Sequence, residues 1–252
     1  MSDHIVITTV DGVLRIVINR PQQLGAVTGH MLDAAADAIE HAGDSVRVVV
    51  ITGTGRAFCS GADLSTPASE GGSVLAGGNR LILAMTAAPF PVIAAVNGLA
   101  AGIGASIALA ADLTLAVDTS YFLLAFVNIG LMPDGGATEL VAASIGRARA
   151  NRMALLGERL QAPVAAEIGL IHKSLASEAY EEELAMLVDK LAHGPTRAYA
   201  ATKRALNANT LSRLTESIER ESLGQAELVA SADYAEGKAA FLEKRPARFT
   251  GT

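Results

Sequence analysis

The sequence predicts an α/β fold in which residues 1–190 form a mixed core and residues 191–252 a helical end. Three observations carry that expectation. Two short apolar strands open the chain around an Asp-Gly turn. Two later runs of buried-strand character each lead through a glycine-bearing loop into helix-like text, and from Gly135 onward apolar residues recur at three-to-four spacing. No low-complexity linker separates the parts, so the helical end is expected to pack on the core or on another subunit.

His4–Val10 and Val13–Asn19 read as strands, and Asp11-Gly12 between them favours a two-residue hairpin turn. The Ala-rich amphipathic stretch His30–Ala42 reads as a helix stopped by Gly43, and Val46–Thr52, dense in Val and Ile, as a strand buried on both faces. Residues 53–78, with seven glycines among Ser and Thr, read as one long functional loop, followed by a helix over Asn79–Ala88. Pro91–Val96 is a strand, Asn97-Gly98 a turn, Ile103–Ala110 a helix and Leu113–Val117 a strand, with short β-rich text through Phe126. Helices follow over Gly136–Ser144, Ala148–Leu156, Glu178–Ala192, Thr196–Asn207, Ser212–Ala230 and Tyr234–Glu243, interrupted by one strand at Ile171–Leu175.

Half of the 252 residues are apolar and 18% are charged, which excludes disorder as the main character of the chain. The net charge of −6 argues against a nucleic-acid surface but leaves room for a local basic patch facing phosphate. Cys59 is the single cysteine and no Cys/His spacing suits zinc, so a reducing compartment and no metal are expected. The start MSDHIVITTVDG has no basic region before an apolar run, so no secretory signal is read and the cytoplasm is the expected address. The uncharged stretch between Arg80 and Asp112 is broken by Pro89, Pro91, Asn97 and Gly98, which suits a buried strand and helix rather than a membrane span.

Gly98-x3-Gly102-x-Gly104 copies the phosphate loop of short-chain dehydrogenases, and Tyr199-x3-Lys203, on an exposed-looking helix, copies their Tyr/Lys pair. A dinucleotide loop belongs after the first strand of the fold, whereas 97 residues precede this one, so an NAD(P) enzyme is not expected. A different reading joins two loops. Arg56-Ala-Phe-Cys-Ser-Gly61-Ala62-Asp63-Leu64 follows one buried strand, and Asn97-Gly98-Leu-Ala-Ala-Gly102-Ile103-Gly104-Ala105 follows the next and opens a helix. Two strand ends can aim backbone N–H groups at one point, the second aided by a helix N-terminus, with glycine letting a ligand oxygen approach closely. Such a pair makes an oxyanion hole, a set of donors that stabilises negative charge developing on an oxygen.

These loops, with Asn19-Arg-Pro, Gly130-Leu-Met-Pro133, Asp233-Tyr-Ala-Glu236-Gly237 and Ala240-Phe241-Leu-Glu-Lys244-Arg-Pro246 in order, resemble the enoyl-CoA hydratase/isomerase (crotonase) superfamily over nearly the whole chain. The resemblance implies a ClpP-like spiral of repeated ββα units, a helical C-terminal trimerisation region, and homotrimers or dimers of trimers. It also implies an acyl-CoA thioester substrate with no other cofactor, coenzyme A entering as part of the substrate. The thioester oxygen would be held by the N–H groups of Ala62 and Ile103. Coenzyme A would meet the main chain at Ala26 and from Ala62 through Asp63 to Leu64, and Phe241 and Lys244 would reach the nucleotide end from a neighbouring subunit. Gly25 replaces the usual Asn before Ala26.

Hydratases of the superfamily use two glutamates, and the matching positions here are Ser106 and Phe126, neither of which is a carboxylate base. Asp134 in Pro133-Asp134-Gly135-Gly136 instead resembles the single acid of the Δ3-Δ2-enoyl-CoA isomerases, which moves a proton between C2 and C4. An apolar pocket at Phe126 would raise the Asp134 pKa and protect an enolate. The bland alternative is an Asp that caps the helix beginning near Gly136. Glu139, one turn further, is the reserve acid. Asp63 and Asp112 are expected to brace loops, the five histidines to be structural or solvent-facing, and Cys59 to be a packed thiol. The expected activity is therefore a double-bond shift in an enoyl-CoA, the alternatives being a 2-enoyl-CoA hydratase with unusual acid/base groups or a non-catalytic acyl-CoA binder.

Overall fold

Asp11 (φ 49°) and Gly12 (φ 77°) form the left-handed turn that joins β1 (Ile5–Val10) to β2 (Val13–Ile18) in an antiparallel hairpin. The structure, a computed structural model, describes residues 4–252, and the first three residues of the start MSDHIVITTVDG lie outside them. After the hairpin comes α1 (Gly29–Glu40), which buries Met31, Leu32, Ala35, Ala36 and Ile39 along one stripe.

Three strand pairs then repeat. β3 (Val48–Gly53) is followed by β4 (Ala57–Cys59), the short α2 (Ala68–Gly71) and α3 (Val74–Ala87). β5 (Val92–Val96) is followed by β6 (Leu99–Ala101) and α4 (Ile103–Ala110), and β7 (Leu113–Val117) by β8 (Tyr121–Leu123), a 3-10 turn over Ala125–Ile129, and α5 (Ala137–Leu156). β9 (Leu160–Gln161), α6 (Ala162–Glu167) and β10 (Lys173–Leu175) lead to α7 (Ser177–Ala192), α8 (Thr196–Thr210), α9 (Leu214–Val229) and α10 (Ala232–Glu243). The first strand of each pair joins a six-stranded sheet of order β1-β2-β3-β5-β7-β10, and the second joins a smaller sheet of order β4-β6-β8-β9. This is the repeated ββα spiral that the resemblance implies, with helices closing the C-terminal end. Neighbours after the opening hairpin are parallel except for β8 and β9.

Alternation along the large sheet divides the core. Val49 and Ile51 face the cluster shared with α1, α3, α4 and α5, whereas Val48, Val50, Ile93 and Leu115 face Tyr180, Leu184 and Val188 of α7. Such two-sided burial explains the continuous Val and Ile runs. The uncharged stretch from Arg80 to Asp112 becomes the end of α3, β5, β6 and the buried α4. Among the described residues no helix is long and apolar enough to cross a membrane.

Several boundaries differ from the sequence reading. Residues 53–78 are not one loop: β4 lies inside them and α3 starts at Val74, its first turn capped by Ser73 Oγ, which accepts from Ala76 N at 3.2 Å. Gly77 and Gly78 belong to that helix because a Cβ at Gly77 would lie 2.8 Å from Gly29 O, and one at Gly78 2.7 Å from Ile103 Cδ1. They are glycines of close helix packing, not of a loop. The expected break between Gly136–Ser144 and Ala148–Leu156 is present as a kink at Gly146 (φ 77°, ψ 160°) within α5.

Lys203 is also corrected. It does not sit on an exposed face: it is 7% exposed, and its Nζ donates to Met85 O at 2.6 Å, Phe90 O at 3.3 Å and Asp112 Oδ2 at 2.7 Å. Asp112 also accepts from Val92 N at 2.7 Å, so it braces the start of β5 as expected. Replacing Lys203 with Met should leave Asp112 uncompensated and two carbonyls short of a donor, lowering stability in urea unfolding by about 3 kcal/mol. A Lys203→Met/Asp112→Asn double variant should recover part of the loss, and equal losses in both would contradict the pairing.

Candidate functional site

β4 and β6 lie side by side, so their C-terminal ends bring the two glycine loops together. Gly61 adopts φ 106°, and a Cβ there would sit 3.1 Å from Ala101 O. Gly102 adopts φ 54° and ψ −131°, a conformation open to glycine, as the residue before α4. A Cβ at Gly98 would lie 2.2 Å from Arg56 O, and one at Gly104 2.4 Å from Cys59 O. The glycines that imitate a dinucleotide loop thus serve strand-to-strand and helix-to-strand contact.

Val27 N donates to Gly61 O and Asp63 N donates to Val27 O, each at 2.9 Å, which turns the Ala62 N–H to the opposite side of this short bridge. Ile103 is the first residue of α4, so its N–H has no acceptor within the helix. Among the described residues neither N–H donates to a protein acceptor. Ala62 and Ile103 both line one cavity of about 460 Å³.

Asp134 lines the same cavity, on the turn between Pro133 and α5, and is 9% exposed. It does not cap α5. That work falls to Glu221 of α9, 1% exposed, whose carboxylate accepts from Gly136 N at 2.6 Å, Thr138 N at 2.9 Å and Thr138 Oγ1 at 2.5 Å. Asp134 Oδ2 accepts from Gln225 Nε2 at 2.7 Å, and Oδ1 is buried without a partner among the described residues. Burial pushes the Asp134 pKa up to about 7, with Glu221 adding to the rise and the Gln225 hydrogen bond opposing it.

Phe126 lines the cavity and is buried, so the position that matches the second hydratase acid is apolar. Ser106 is fully buried and outside the lining. Its Oγ donates to Asp134 O at 2.8 Å, so it ties α4 to the Asp134 turn. Glu139 is half-buried and also outside the lining, which removes the reserve acid, because α5 carries it away from the cavity. Leu64 lines the cavity, but Ala26 and Asp63 have their main chains engaged elsewhere. Ala26 O accepts from Arg20 Nη1 at 2.8 Å and Ala26 N donates to Gln23 O at 3.0 Å. The Asp63 carboxylate pairs with Arg20 at 2.9 Å and accepts from Ser65 and Thr66. Burial opposes it, yet these bonds hold the Asp63 carboxyl below its usual range, as befits a brace.

Phe241, 61% exposed, stands at the mouth of this chain's own cavity, because α10 folds back on the 3-10 turn. The close approach requires glycine: a Cβ at Gly237 would lie 2.6 Å from the Ile129 backbone. Lys244 ends α10 in a left-handed conformation (φ 56°) and lies outside the lining, whereas Arg245 lines the cavity, bonded to Glu236 and Glu243 at 2.6 Å each. Cys59 is a packed thiol whose pKa is raised by burial to about 12, and all five histidines are exposed. The sequence reading missed Arg20, Glu221 and Gln225. A signal existed for the last two: with Leu214, Ser217 and Ile218 they form the buried stripe of α9, where polar side chains need a reason.

Two unengaged amides, an apolar cavity and one buried carboxyl make a set suited to proton transfer beside a carbonyl. The profile of the enoyl-CoA hydratase/isomerase family matches residues 8–252, and the chain belongs to that family. It is 42% identical over 245 residues to a Rhodobacter capsulatus protein named "Probable enoyl-CoA hydratase", covering 96% of this chain and 95% of the other. It is also 37% identical over 261 residues to the 1,2-epoxyphenylacetyl-CoA isomerase of Escherichia coli, with both chains fully covered. Among solved structures, an enoyl-CoA hydratase from Mycobacterium avium subsp. paratuberculosis superposes with TM-score 0.93 at 44% identity over 98% of each chain.

The raised Asp134 pKa has a consequence for stability. Between about pH 4 and pH 7 the folded carboxyl keeps a proton that the unfolded one has released, so this group lowers stability as pH rises through that window. Asp134→Asn removes the penalty. Its stability relative to the parent should grow from pH 4 to pH 8 by up to about 4 kcal/mol in urea unfolding. A pH-independent difference would contradict the buried, late-titrating carboxyl.

Proposed function

We propose that the protein shifts the double bond of an enoyl-CoA from C3=C4 to C2=C3, using Asp134 as the single proton carrier. The observation that supports this reading best is the unpartnered Asp134 Oδ1 in a cavity whose lining has Phe126 at the second acid position and no other carboxylate among the described residues. Asp134 takes a proton from C2 of the substrate. The C2 electron pair delocalises onto the thioester oxygen, where the Ala62 and Ile103 N–H groups stabilise it, each donor contributing about 2.7–4 kcal/mol. The protonated Asp134 then donates at C4, and the double bond forms between C2 and C3. One acid suffices because the same proton returns, whereas hydration needs a group to position and activate water. Apolar surroundings keep the enolate away from competing proton donors.

Coenzyme A serves as part of the substrate, held at Leu64 and by main chain near Ala62, with Phe241 and Arg245 at the outer end. Residues 191–252 act as the oligomerisation region of a homotrimer or dimer of trimers, in keeping with exposed Leu223, Val229, Leu242 and Phe249. A buried, reduced Cys59 suits the cytoplasm.

The test offers a 3-enoyl-CoA and a 2-enoyl-CoA separately to the parent and to Asp134→Asn. Isomerisation by the parent should fall at least about 100-fold in the variant. Hydration that survives in Asp134→Asn, with no isomerisation by the parent, would overturn the reading in favour of a hydratase, and acyl-CoA binding without turnover would leave a binder. Light scattering should give a trimer or hexamer mass, and a stable monomer would contradict the assembly.

A further inference from the structure

We propose that Gln225 is a positioning residue that decides which oxygen of Asp134 carries the travelling proton, holding Oδ2 so that Oδ1 alone takes it up and returns it. The inference rests on the Asp134 reading above. Gln225 is 3% exposed and lines the same cavity. Its Nε2 donates both to Asp134 Oδ2 at 2.7 Å and to Met132 O at 2.9 Å. The Met132 carbonyl can only accept, so the amide nitrogen must face it and Asp134 Oδ2 beside it, while Gln225 Oε1 is buried without a partner among the described residues. Spanning residues 132 and 134, the amide also fixes the rotation of the carboxyl relative to its own backbone, while Ser106 Oγ holds the Asp134 carbonyl from the other side.

The electronic result follows from the donor. A carboxylate oxygen that accepts a strong N–H bond is the poorer proton acceptor, so protonation falls on the other oxygen, Oδ1, which has no protein partner. The groups around Asp134 reinforce this division. Glu221 of α9 carries charge near the turn, but its oxygens are committed to Gly136 and Thr138 of the α5 start. Ile82, Ile103 and Ser106 of α3 and α4 pack against Gly135 and do not titrate in this range, and Tyr234 and Arg245, from α10 and the segment after it, line the cavity. Gln225 therefore supplies the donor that favours the ionised form of Asp134 and opposes its burial.

Gln225→Met keeps the length of the side chain and removes the donor. In the parent, kcat/KM for a 3-enoyl-CoA should rise with pH through a midpoint near Asp134's pKa. In Gln225→Met that midpoint should move up by about one pH unit, with kcat reduced at neutral pH and KM changed by less than about twofold. Infrared difference spectra between the parent and Asp134→Asn give a readout free of turnover. The protonated carboxyl of the parent should show a carbonyl stretch lowered by its hydrogen bond, and Gln225→Met should raise both its frequency and its titration midpoint. Loss of isomerisation in Asp134→Asn together with an unmoved midpoint in Gln225→Met would overturn the role of Gln225 alone. Full isomerisation by Asp134→Asn would overturn the reading beneath it. Should Gln225→Met not fold, a parent band at the position of a carbonyl without a hydrogen bond would still overturn the proposal.

Discussion

Contact between two glycine turns is the constraint on which the candidate site depends. Gly61 and Gly102 lie against each other because β4 and β6 pair, their positive φ values of 106° and 54° call for glycine, and a Cβ at Gly61 would also crowd Ala101 O at 3.1 Å. From that contact come the two unengaged amides of Ala62 and Ile103, both residues lining one cavity. The Arg20–Asp63 ion pair holds one loop to the start of the chain, and Gly102 N, donating to Leu123 O at 2.9 Å, holds the other to β8. The loops line the cavity at one face and are braced at the other, which is how a flexible residue type comes to form a held feature.

Asp134, in the same lining, and Glu221 behind its turn are charges placed where they cost most. Glu221 is buried but fully engaged at the start of α5, where the helix N-terminus favours a carboxylate. Asp134 is denied that role and keeps one oxygen unpartnered, with a pKa raised to about 7. Burial raises the pKa of both acids, but Glu221 has donors from Gly136 and Thr138 to oppose the rise, and Asp134, left with one oxygen unpartnered, is the one that lines the cavity. The two buried carboxylates are distinguished by who donates to them, not by burial.

α10 connects the helical end to this chemistry. Its glycine at 237 seats the helix on the 3-10 turn that carries Phe126, so the mouth of the cavity is formed by the same chain that forms its floor. Contact between α10 and the core also explains why the Asp-Tyr-Ala-Glu-Gly segment is rich in signal for so short a stretch: Gly130, at φ 75°, meets the Asp233 backbone.

Much of this was legible in the residues themselves. Continuous Val and Ile runs marked the buried strands of the large sheet and three-to-four spacing the major helices, while the two glycine loops marked Ala62 and Ile103 through the local backbone geometry that glycine advertises. The three-residue strands β4 and β6 were not legible, since strands so short carry no period, and the early start of α3 was hidden by glycines whose packing partners are remote in sequence. Glu139 and Glu221 are the sharpest contrast. Proximity along the chain favoured Glu139, whereas the acid beside the Asp134 turn is Glu221, 85 residues from Gly136 and brought there by α9. Sequence alone determined which residues can make turns, strands and helices, because those are short-range steric preferences. Which polar groups meet in the buried interior, and hence which carboxyl stays protonated, was decided only by tertiary packing, because desolvation and hydrogen-bond partners belong to the folded neighbourhood.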